Sequence, residues 1–229
     1  MLEFHKERGA DLTVSVIEVP WEDASRFGVM SVDKDMNITK FAEKPKEPDS
    51  NLASMGLYIF NWDVLRRALL EDHDDPDSEK DFGKNIIPAM LQDGRRMFAY
   101  RFDGYWKDVG TVQSLWEANM DLIKDEPELN LGDKDWRIYS RSAIMPAHYM
   151  GRHGSAVRSI VTEGCDVDGA IRHSVLFAGV TIGEGAEVSD SVVLPGARIG
   201  ANAVVKKAIV GENATVHAGA VVGAPPAEN

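Results

Sequence analysis

The stretch IGEGAEVSDSVVLPGARIGANAVV, residues 182–205, places one aliphatic residue at every fifth or sixth position and fills the intervals with small and turn-forming residues. An aliphatic residue at this spacing can point inward from a short flat strand, while Gly, Asn or Asp turns the corner to the next strand. Three such strands close one triangular coil, and stacked coils share a continuous apolar core. The pattern therefore predicts a left-handed parallel β-helix over residues 157–224. The inward positions that it predicts are Val161, Val167, Leu176, Ile182, Val188, Leu194, Ile199, Val204, Val210, Val216 and Val222.

Residues 1–125 have a different pattern, in which strand-like runs alternate with helical ones. Alternation of this kind predicts an α/β domain. Asn61 and Thr111 are suited to cap two of the helices. Residues 126–156 hold no periodicity and are interpreted as a linker. The predicted strands lie at 12–19, 28–33, 38–45, 54–60 and 96–102, and the predicted helices lie at 61–72, 81–94 and 111–123.

The composition limits the classes of function. The chain has 229 residues and a formal net charge of −12, which repels a polyanion and argues against a nucleic-acid partner. Cys165 is the only cysteine, so no disulfide can form within the chain. The first residues are rich in charge, unlike a signal peptide, and no apolar run reaches the length of a membrane helix. We expect a cytoplasmic protein with no membrane contact.

The segment FAEKPKEP, residues 41–48, ends a strand-like run with an adjacent carboxylate and ammonium, Glu43 and Lys44. Because Pro45 disfavours helical geometry at the residue before it, we expect Lys44 to be extended. The pair is either a solvated strand end or part of a site for a polar ligand, and the pair alone does not decide between them.

Several motifs, in this order and spacing, resemble bacterial ADP-glucose pyrophosphorylases, also called glucose-1-phosphate adenylyltransferases. They are EVPWEDASRFGVMSVD, FAEKPKEP, NLASMGLYIFNWDVL, DFGKNIIPAML and GYWKDVGTVQSLWEANMDL, followed by the hexapeptide repeats. The resemblance implies the conversion of ATP and glucose 1-phosphate to ADP-glucose and pyrophosphate, with Mg²⁺, in glycogen-type glucan biosynthesis. Chemistry of this type depends on positioning and charge neutralisation rather than on a covalent protein intermediate.

The resemblance also assigns roles to the charged residues. Lys44 corresponds to the lysine that binds the phosphate of glucose 1-phosphate, and Glu43 to the glutamate that contacts sugar hydroxyls. Asp108 corresponds to an aspartate that holds the catalytic Mg²⁺, and Gly110 lets the backbone pass close to the ligand. The alternative for Asp108 is a turn or cap aspartate ahead of the helix that begins near Thr111.

Three small residues correspond to further substrate contacts. Ser54 and Gly56 match sugar-contacting positions, and Gly28 matches a backbone contact. The alternatives are a polar strand residue for Ser54 and tight turns for the two glycines.

The glycine-rich phosphate loop and the second metal-binding aspartate of these enzymes have no counterpart in this sequence. We therefore expect a partial, Rossmann-like nucleotidyltransferase domain that binds glucose 1-phosphate, uses ATP only together with the missing N-terminal part, and is inactive alone. Because the sheet would be incomplete, we expect the β-helix to be the stable unit and the α/β region to be loosely ordered or paired with another chain. The amides of residues 12–19 should then exchange quickly unless a partner is present. The resemblance further implies an allosteric homo-oligomer, typically a tetramer.

Other classes of function remain open. The chain could be a non-catalytic regulatory or assembly subunit of such an enzyme, or a related sugar-nucleotide transferase. An acyltransferase of the hexapeptide-repeat class would need a histidine as general base. His173 and His217 are available, but neither lies in a recognisable acyltransferase motif.

Overall fold

The computed structural model describes residues 1–135, 138–139 and 144–223, which form two compact units, Met1–Asp103 and Gly104–Asn229. The expected boundary at residue 224 and positions 136, 137 and 140–143 of the expected linker lie outside the described residues. No helix in the described part of the chain combines the length and the apolar character that crossing a membrane requires.

The first unit is built on a five-stranded sheet with the order β3-β2-β4-β1-β5. Strand β1 pairs antiparallel with β4 on one side and parallel with β5 on the other, so it is an interior strand. Two later strands of the same unit therefore flank β1, so the unpaired edge from which fast exchange at residues 12–19 is expected does not lie there. The strands are β1 Leu12–Glu18, β2 Gly28–Val32, β3 Ile38–Glu43, β4 Leu52–Phe60 and β5 Met97–Arg101.

Short helices cover this sheet and bury its apolar side chains. Leu12, Val14 and Val16 of β1 pack in one cluster with Ile87 and Met90, which lie between β4 and β5 in the chain. The predicted helix at 81–94 begins with a π-helical turn, Phe82–Ile86, and continues as an α-helix with Pro88 in its first turn, where proline is tolerated. The α-helices of the first unit are α1 Leu2–Glu7, α2 Trp62–Asp74 and α3 Ile87–Gln92, and a 3₁₀ turn spans Ala24–Arg26.

Asn61 occupies the N-cap position of α2, as predicted, but its side chain does not cap the helix. Its amide nitrogen donates to the carbonyl of Ala10 at 2.9 Å, and its amide oxygen lies 3.4 Å from Nε2 of His5. The side chain therefore ties the start of α2 to the segment that precedes β1.

The second unit contains a parallel β-helix, so the predicted order of an α/β region followed by a β-helix is confirmed. Its three sheets have the orders β19-β16-β13-β10-β7, β17-β14-β11-β8 and β18-β15-β12-β9-β6. The first strands lie before residue 157. The strands are β6 Tyr149–Met150, β7 Ser155–Val157, β8 Ile160–Val161, β9 Asp166–Val167, β10 Ala170–Arg172, β11 Val175–Leu176, β12 Thr181–Ile182, β13 Glu187–Ser189, β14 Val192–Val193, β15 Arg198–Ile199, β16 Val204–Lys206, β17 Ile209–Val210, β18 Thr215–Val216 and β19 Val221–Val222.

The interior of the β-helix differs from the prediction at three positions, since the predicted set omits the fully buried strand residue Ile171 and is displaced by one residue at two others. Val193 and Val205 are fully buried, whereas the predicted Leu194 and Val204 are only partly buried.

The reason for the displacement is a tight two-residue corner at Asp190 and Ser191, where Asp190 turns the chain with a φ of 49°. His173 and Lys207 make the same left-handed corner in the neighbouring coils. The inward position therefore comes five residues after Val188, and the next two steps are six residues each.

Serine hydroxyls link successive coils beside this tight corner. The hydroxyl of Ser174 accepts the Ser191 amide at 3.1 Å and donates to the Arg172 carbonyl at 2.7 Å. Ser191 repeats the arrangement one coil later, where it accepts the Ala208 amide at 3.2 Å. These fully buried polar side chains are therefore satisfied by the backbone.

Helix α4, Val112–Asp121, packs on one face of the β-helix. Thr111 caps it, because its hydroxyl accepts the Ser114 amide at 3.1 Å, as predicted. Met120 packs against Val192, and the indole nitrogen of Trp116 donates to the Asp190 carbonyl at 2.7 Å. The helix and the β-helix therefore share an apolar cluster within the second unit.

Candidate functional site

The Glu43 carboxylate lies between two glycines of the first unit. Glu43 ends β3 and is paired across the β2–β3 hairpin with Gly28. A β-carbon built on Gly28 would lie 2.6 Å from Oε2 of Glu43, and a β-carbon built on Gly83 would also lie 2.6 Å from it. Both distances are shorter than any normal contact, so glycine at each position makes room for the carboxylate. The Glu43 side chain keeps 26% exposure.

Lys44 follows Glu43, and its charged side chain is largely exposed. Its φ of 45° lies in the left-handed region, so the expectation of an extended residue is wrong. The cause is at the end of the hairpin, where the Lys44 amide donates to the Phe27 carbonyl at 3.1 Å. Its ammonium lies 3.8 Å from Oε1 of Glu43, and its side chain is 67% exposed. An exposed pair at this separation is weakly held, so the ammonium is available to a ligand.

Ser54 and Gly56 lie together at an irregularity in β4. The register between β1 and β4 shifts between Val14 and Val16, and Gly56 adopts a φ of 72° there. The Gly56 amide donates to the Ser54 hydroxyl at 3.2 Å, and that hydroxyl lies 3.5 Å from the hydroxyl of Tyr58. The local bulge therefore positions the Ser54 hydroxyl on this strand.

The turn that begins at Phe82 connects these two parts of the first unit. Phe82 stacks on Tyr58 with ring centroids 5.9 Å apart and an interplanar angle of 13°. Asp81 caps the turn, since its Oδ1 accepts the Gly83 amide at 2.8 Å and the Lys84 amide at 2.9 Å. Contacts thus run from Ser54 through Tyr58 and the turn to Glu43.

Sequence reasoning missed Gly83, Phe82 and Tyr58 as neighbours of the predicted residues. The sequence contained a signal for this turn. An aspartate before a helical run is a typical N-cap, and the glycine two residues later has no side chain to fill the space beside the turn. The neighbouring cavity of about 320 Å³, lined by α2 and residues 84–93, contains none of the predicted site residues.

Asp108 belongs to the second unit and is exposed. A β-carbon on Gly110 would lie 3.2 Å from Oδ2 of Asp108, so this glycine limits crowding of the carboxylate. The residue before Asp108 is fixed, because the Lys107 ammonium lies 2.9 Å from Glu117 and 3.5 Å from Asp121. Partial burial lowers the pKa of Lys107, but these two carboxylates outweigh it and raise the pKa above its ordinary value.

The predicted residues therefore lie in two places. Gly28 and Glu43 are in contact, Lys44 adjoins them, and Ser54 and Gly56 share the bulge of β4, all within the first unit. Asp108 lies in the second unit, beside the N-cap of α4.

Sequence comparison identifies the class of protein. Residues 1–125 match the nucleotidyl transferase family, and residues 142–229 match the GlmU-like C-terminal hexapeptide family. Because the first match covers more than half of the chain, the chain belongs to the nucleotidyl transferase family.

Similar curated proteins have one name in common, glucose-1-phosphate adenylyltransferase. Those of Acetivibrio thermocellus, Clostridium botulinum strain Alaska E43 and Bacillus cereus strain ZK are 58%, 56% and 54% identical to this chain over 191 residues. The matched part is 83% of this chain and 45%, 50% and 51% of the three relatives. The chain therefore spans about half the length of the curated relatives that it matches.

Proposed function

We propose that this chain carries the sugar-phosphate half of a glucose-1-phosphate adenylyltransferase. The reaction joins ATP and glucose 1-phosphate to give ADP-glucose and pyrophosphate. The family membership and the names of the relatives support this reaction class. The observation that carries the proposal is the Glu43 carboxylate, held between Gly28 and Gly83 beside the exposed ammonium of Lys44.

The two charged side chains suit the two ends of a sugar phosphate. An ionised glutamate offers only acceptors, so Glu43 would accept hydrogen bonds from sugar hydroxyls. The compact ammonium of Lys44 would neutralise the phosphate. The hydroxyl of Ser54 and the open backbone at Gly56 and Gly28 would complete the sugar contacts. In this role Lys44 stabilises the ground state as well as the transition state.

Mg²⁺ is the metal that the reaction requires in our proposal, and Asp108 would hold it. Mg²⁺ binds through one or two carboxylates together with substrate phosphates. An exposed carboxylate with a glycine two residues later fits that arrangement. The ion would neutralise charge on the phosphates, while Asp108 itself would fix the position of the ion.

The proposal also covers the location of the protein, its assembly and its use of ATP. The reaction takes place where ATP and sugar phosphates are made, so we place the protein in the cytoplasm, in glycogen-type glucan biosynthesis. We propose a homo-oligomer, a tetramer under allosteric control, with the β-helix as an assembly surface. Because the matched part is about half of each relative, ATP use is proposed only together with a nucleotide-binding segment of the same enzyme class.

Calorimetric titration of the chain with glucose 1-phosphate tests the site directly. We expect saturable binding that Lys44→Ala weakens at least about tenfold, since a phosphate loses its charge-assisted partner. Lys46→Ala is the matched control, because Lys46 is also exposed and lies two residues away. Equal affinity in all three proteins, or no binding, would contradict the proposal.

Turnover is tested by pyrophosphate release from ATP and glucose 1-phosphate, with the N-terminal segment of the Acetivibrio thermocellus relative supplied. We expect release only from the mixture. Binding of glucose 1-phosphate without turnover in the mixture would favour the non-catalytic regulatory subunit.

A further inference from the structure

One corner of the β-helix is two residues shorter in its second coil than in the coils on either side. Four residues, 151–154, separate β6 from β7, and four residues, 183–186, separate β12 from β13. Only Asp168 and Gly169 separate β9 from β10. The strand pairing shows the same change. Tyr149 pairs with Asp166, seventeen positions later, whereas Ser155 pairs with Ala170, only fifteen positions later. We call the place where this short corner lies between the two longer turns the notch.

Three metal-ligating side chains meet at this notch, one from each coil. Nδ1 of His153 lies 3.6 Å from Oδ1 of Asp168 and 3.6 Å from Oε1 of Glu184. One ligand atom from each of the three side chains lies within 4.8 Å of the others. Within residues 1–135, 138–139 and 144–223, this is the only such group of His, Cys, Asp or Glu side chains.

The backbone around the notch makes room for the central carboxylate. A β-carbon on Gly151 would lie 2.5 Å from Oδ1 of Asp168, so any side chain there would displace it. The His153 amide donates to the same oxygen at 2.8 Å. Asp168 is therefore fixed in the notch, while the more exposed His153 and Glu184 side chains can adjust on either side.

We propose that this notch, formed by His153, Asp168 and Glu184, binds a divalent transition-metal ion of the zinc class. A tetrahedral zinc ion with ligand distances of about 2.1 Å holds its ligand atoms about 3.4 Å apart. The two separations of 3.6 Å from Nδ1 of His153 are close to this value, and the Glu184 side chain is exposed and can close the third. One imidazole with two carboxylates suits zinc, cobalt or nickel, whereas Mg²⁺ prefers oxygen ligands alone. Water completes the coordination on the exposed side. The ion joins three successive coils, so it stabilises the start of the β-helix independently of the sugar-phosphate site.

Calorimetric titration of the metal-free full chain with ZnCl₂ tests the site, with MgCl₂ in a parallel titration. We expect one zinc site, and we expect Mg²⁺ at the same concentration not to compete for it. His153→Gln and Glu184→Gln should each lower the zinc affinity at least about tenfold, since changes even outside the ligand shell cost this much. Zinc should also raise the melting temperature of the parent chain and not that of Glu184→Gln.

His217→Gln is the matched control, because His217 is an exposed histidine in the turn after β18, and His153 lies in the turn after β6 of the same sheet. It should bind zinc like the parent. An ion pair without metal is the competing explanation of the cluster. That explanation would be correct, and the proposal overturned, if the parent bound no zinc or if His153→Gln and Glu184→Gln left zinc binding unchanged. Displacement of zinc by an equal concentration of Mg²⁺ would also overturn it.

Discussion

Glu43 and Gly83 are in contact although forty positions separate them in the chain, because the Glu43 carboxylate lies where a side chain of residue 83 would begin. The contact places a backbone with no side chain against the acceptor that we assign to the sugar. The turn at residues 82–86 therefore belongs to the proposed site even though it donates no side chain to it.

Replacing Gly83 with Ala should push the Glu43 carboxylate out of position. The new β-carbon would lie 2.6 Å from Oε2, and the flexible end of the glutamate would move rather than the backbone. We expect the affinity for glucose 1-phosphate to fall about tenfold or more, because small misplacements of a positioning group have large effects. The melting temperature should change little. Gly211→Ala is the control, since nothing lies within 4 Å of that position, and equal effects of the two substitutions would refute this role of Gly83.

Lys44 and Asp108 should affect different kinetic constants in the mixture that contains the N-terminal segment. Lys44→Ala should chiefly raise KM for glucose 1-phosphate, because it removes binding present in the ground state. Asp108→Asn should chiefly lower kcat, on the order of a hundredfold, because it weakens the hold on the metal during the reaction. Steady-state pyrophosphate release measures both. Asp103→Asn, at another exposed aspartate, serves as the control, and two variants that behave like the parent would remove both assignments.

Hydrogen exchange should be slow in β1. The amides of Val14 and Val16 lie in an interior strand that is flanked by β4 and β5, and both side chains are fully buried. Strand β3 is at the edge of the same sheet, so its outward amides should exchange faster. Mass spectrometry of the chain in deuterated buffer measures both. Faster exchange in β1 than in β3 would mean that β1 is not held inside the sheet.

Ser174→Ala should destabilise the β-helix by about 1–3 kcal/mol, because it leaves the Ser191 amide and the Arg172 carbonyl without these hydrogen bonds. Ser155→Ala, at an exposed position of β7, should change the free energy of unfolding by less than about 0.5 kcal/mol. Urea unfolding followed by far-UV circular dichroism compares them. Equal stabilities would show that the serine hydroxyls do not support the corner.

Asp121 should make the attachment of the flanking segments to the end of α4 sensitive to acid, because its partners Tyr105, Lys107 and Lys124 lie in those segments. Partial burial raises the pKa of Asp121, but hydrogen bonds from Lys124 and Tyr105 and the charge of Lys107 outweigh it and lower the pKa below its ordinary value. Because the folded pKa is depressed, the stabilisation is present above the unfolded pKa of about 3.9 and is lost as the pH falls through the folded value.

The stability difference between the parent and Asp121→Asn should therefore be largest near neutral pH and should shrink below about pH 4. Thermal unfolding across the acid range measures it. Asp125→Asn is the control, since its ion pair with Arg158 is mostly exposed and contributes little. A difference that stays constant with pH would show that the charge of Asp121 is not the cause.

The repeat pattern predicted the β-helix, but not the lengths of its corners. Aliphatic spacing reports that coils exist, because each coil needs an inward side chain. It does not show which residue of the pair Val193 and Leu194, or of the pair Val204 and Val205, points inward, since both members of each pair are apolar. The choice depends on the left-handed corner at Asp190, which the sequence reveals only once the stacking of neighbouring coils is known.

The contacts within the candidate site could also be predicted only in part. The hairpin brought Gly28 and Glu43 together because a short turn between two alternating runs fixes their pairing. The Asp81-Phe82-Gly83 sequence marks a capped turn, but the contact of Gly83 with Glu43 could not be predicted, because it depends on where the turn after α2 returns to the sheet. The interior position of β1 was missed for the same reason, since its neighbours β4 and β5 come much later in the chain.

The regular register of the β-helix means that its length is set by the number of whole repeats. Glu187 pairs with Val204, and Val204 with Val221, so a unit of seventeen residues repeats without changing the cross-section. Duplicating residues 187–203 should therefore insert one further rung and lengthen the β-helix by about 4.8 Å, the spacing between neighbouring strands. A protein of this design can adjust the distance between its ends in fixed increments by gaining or losing whole repeats, with no change to the chemistry at either end.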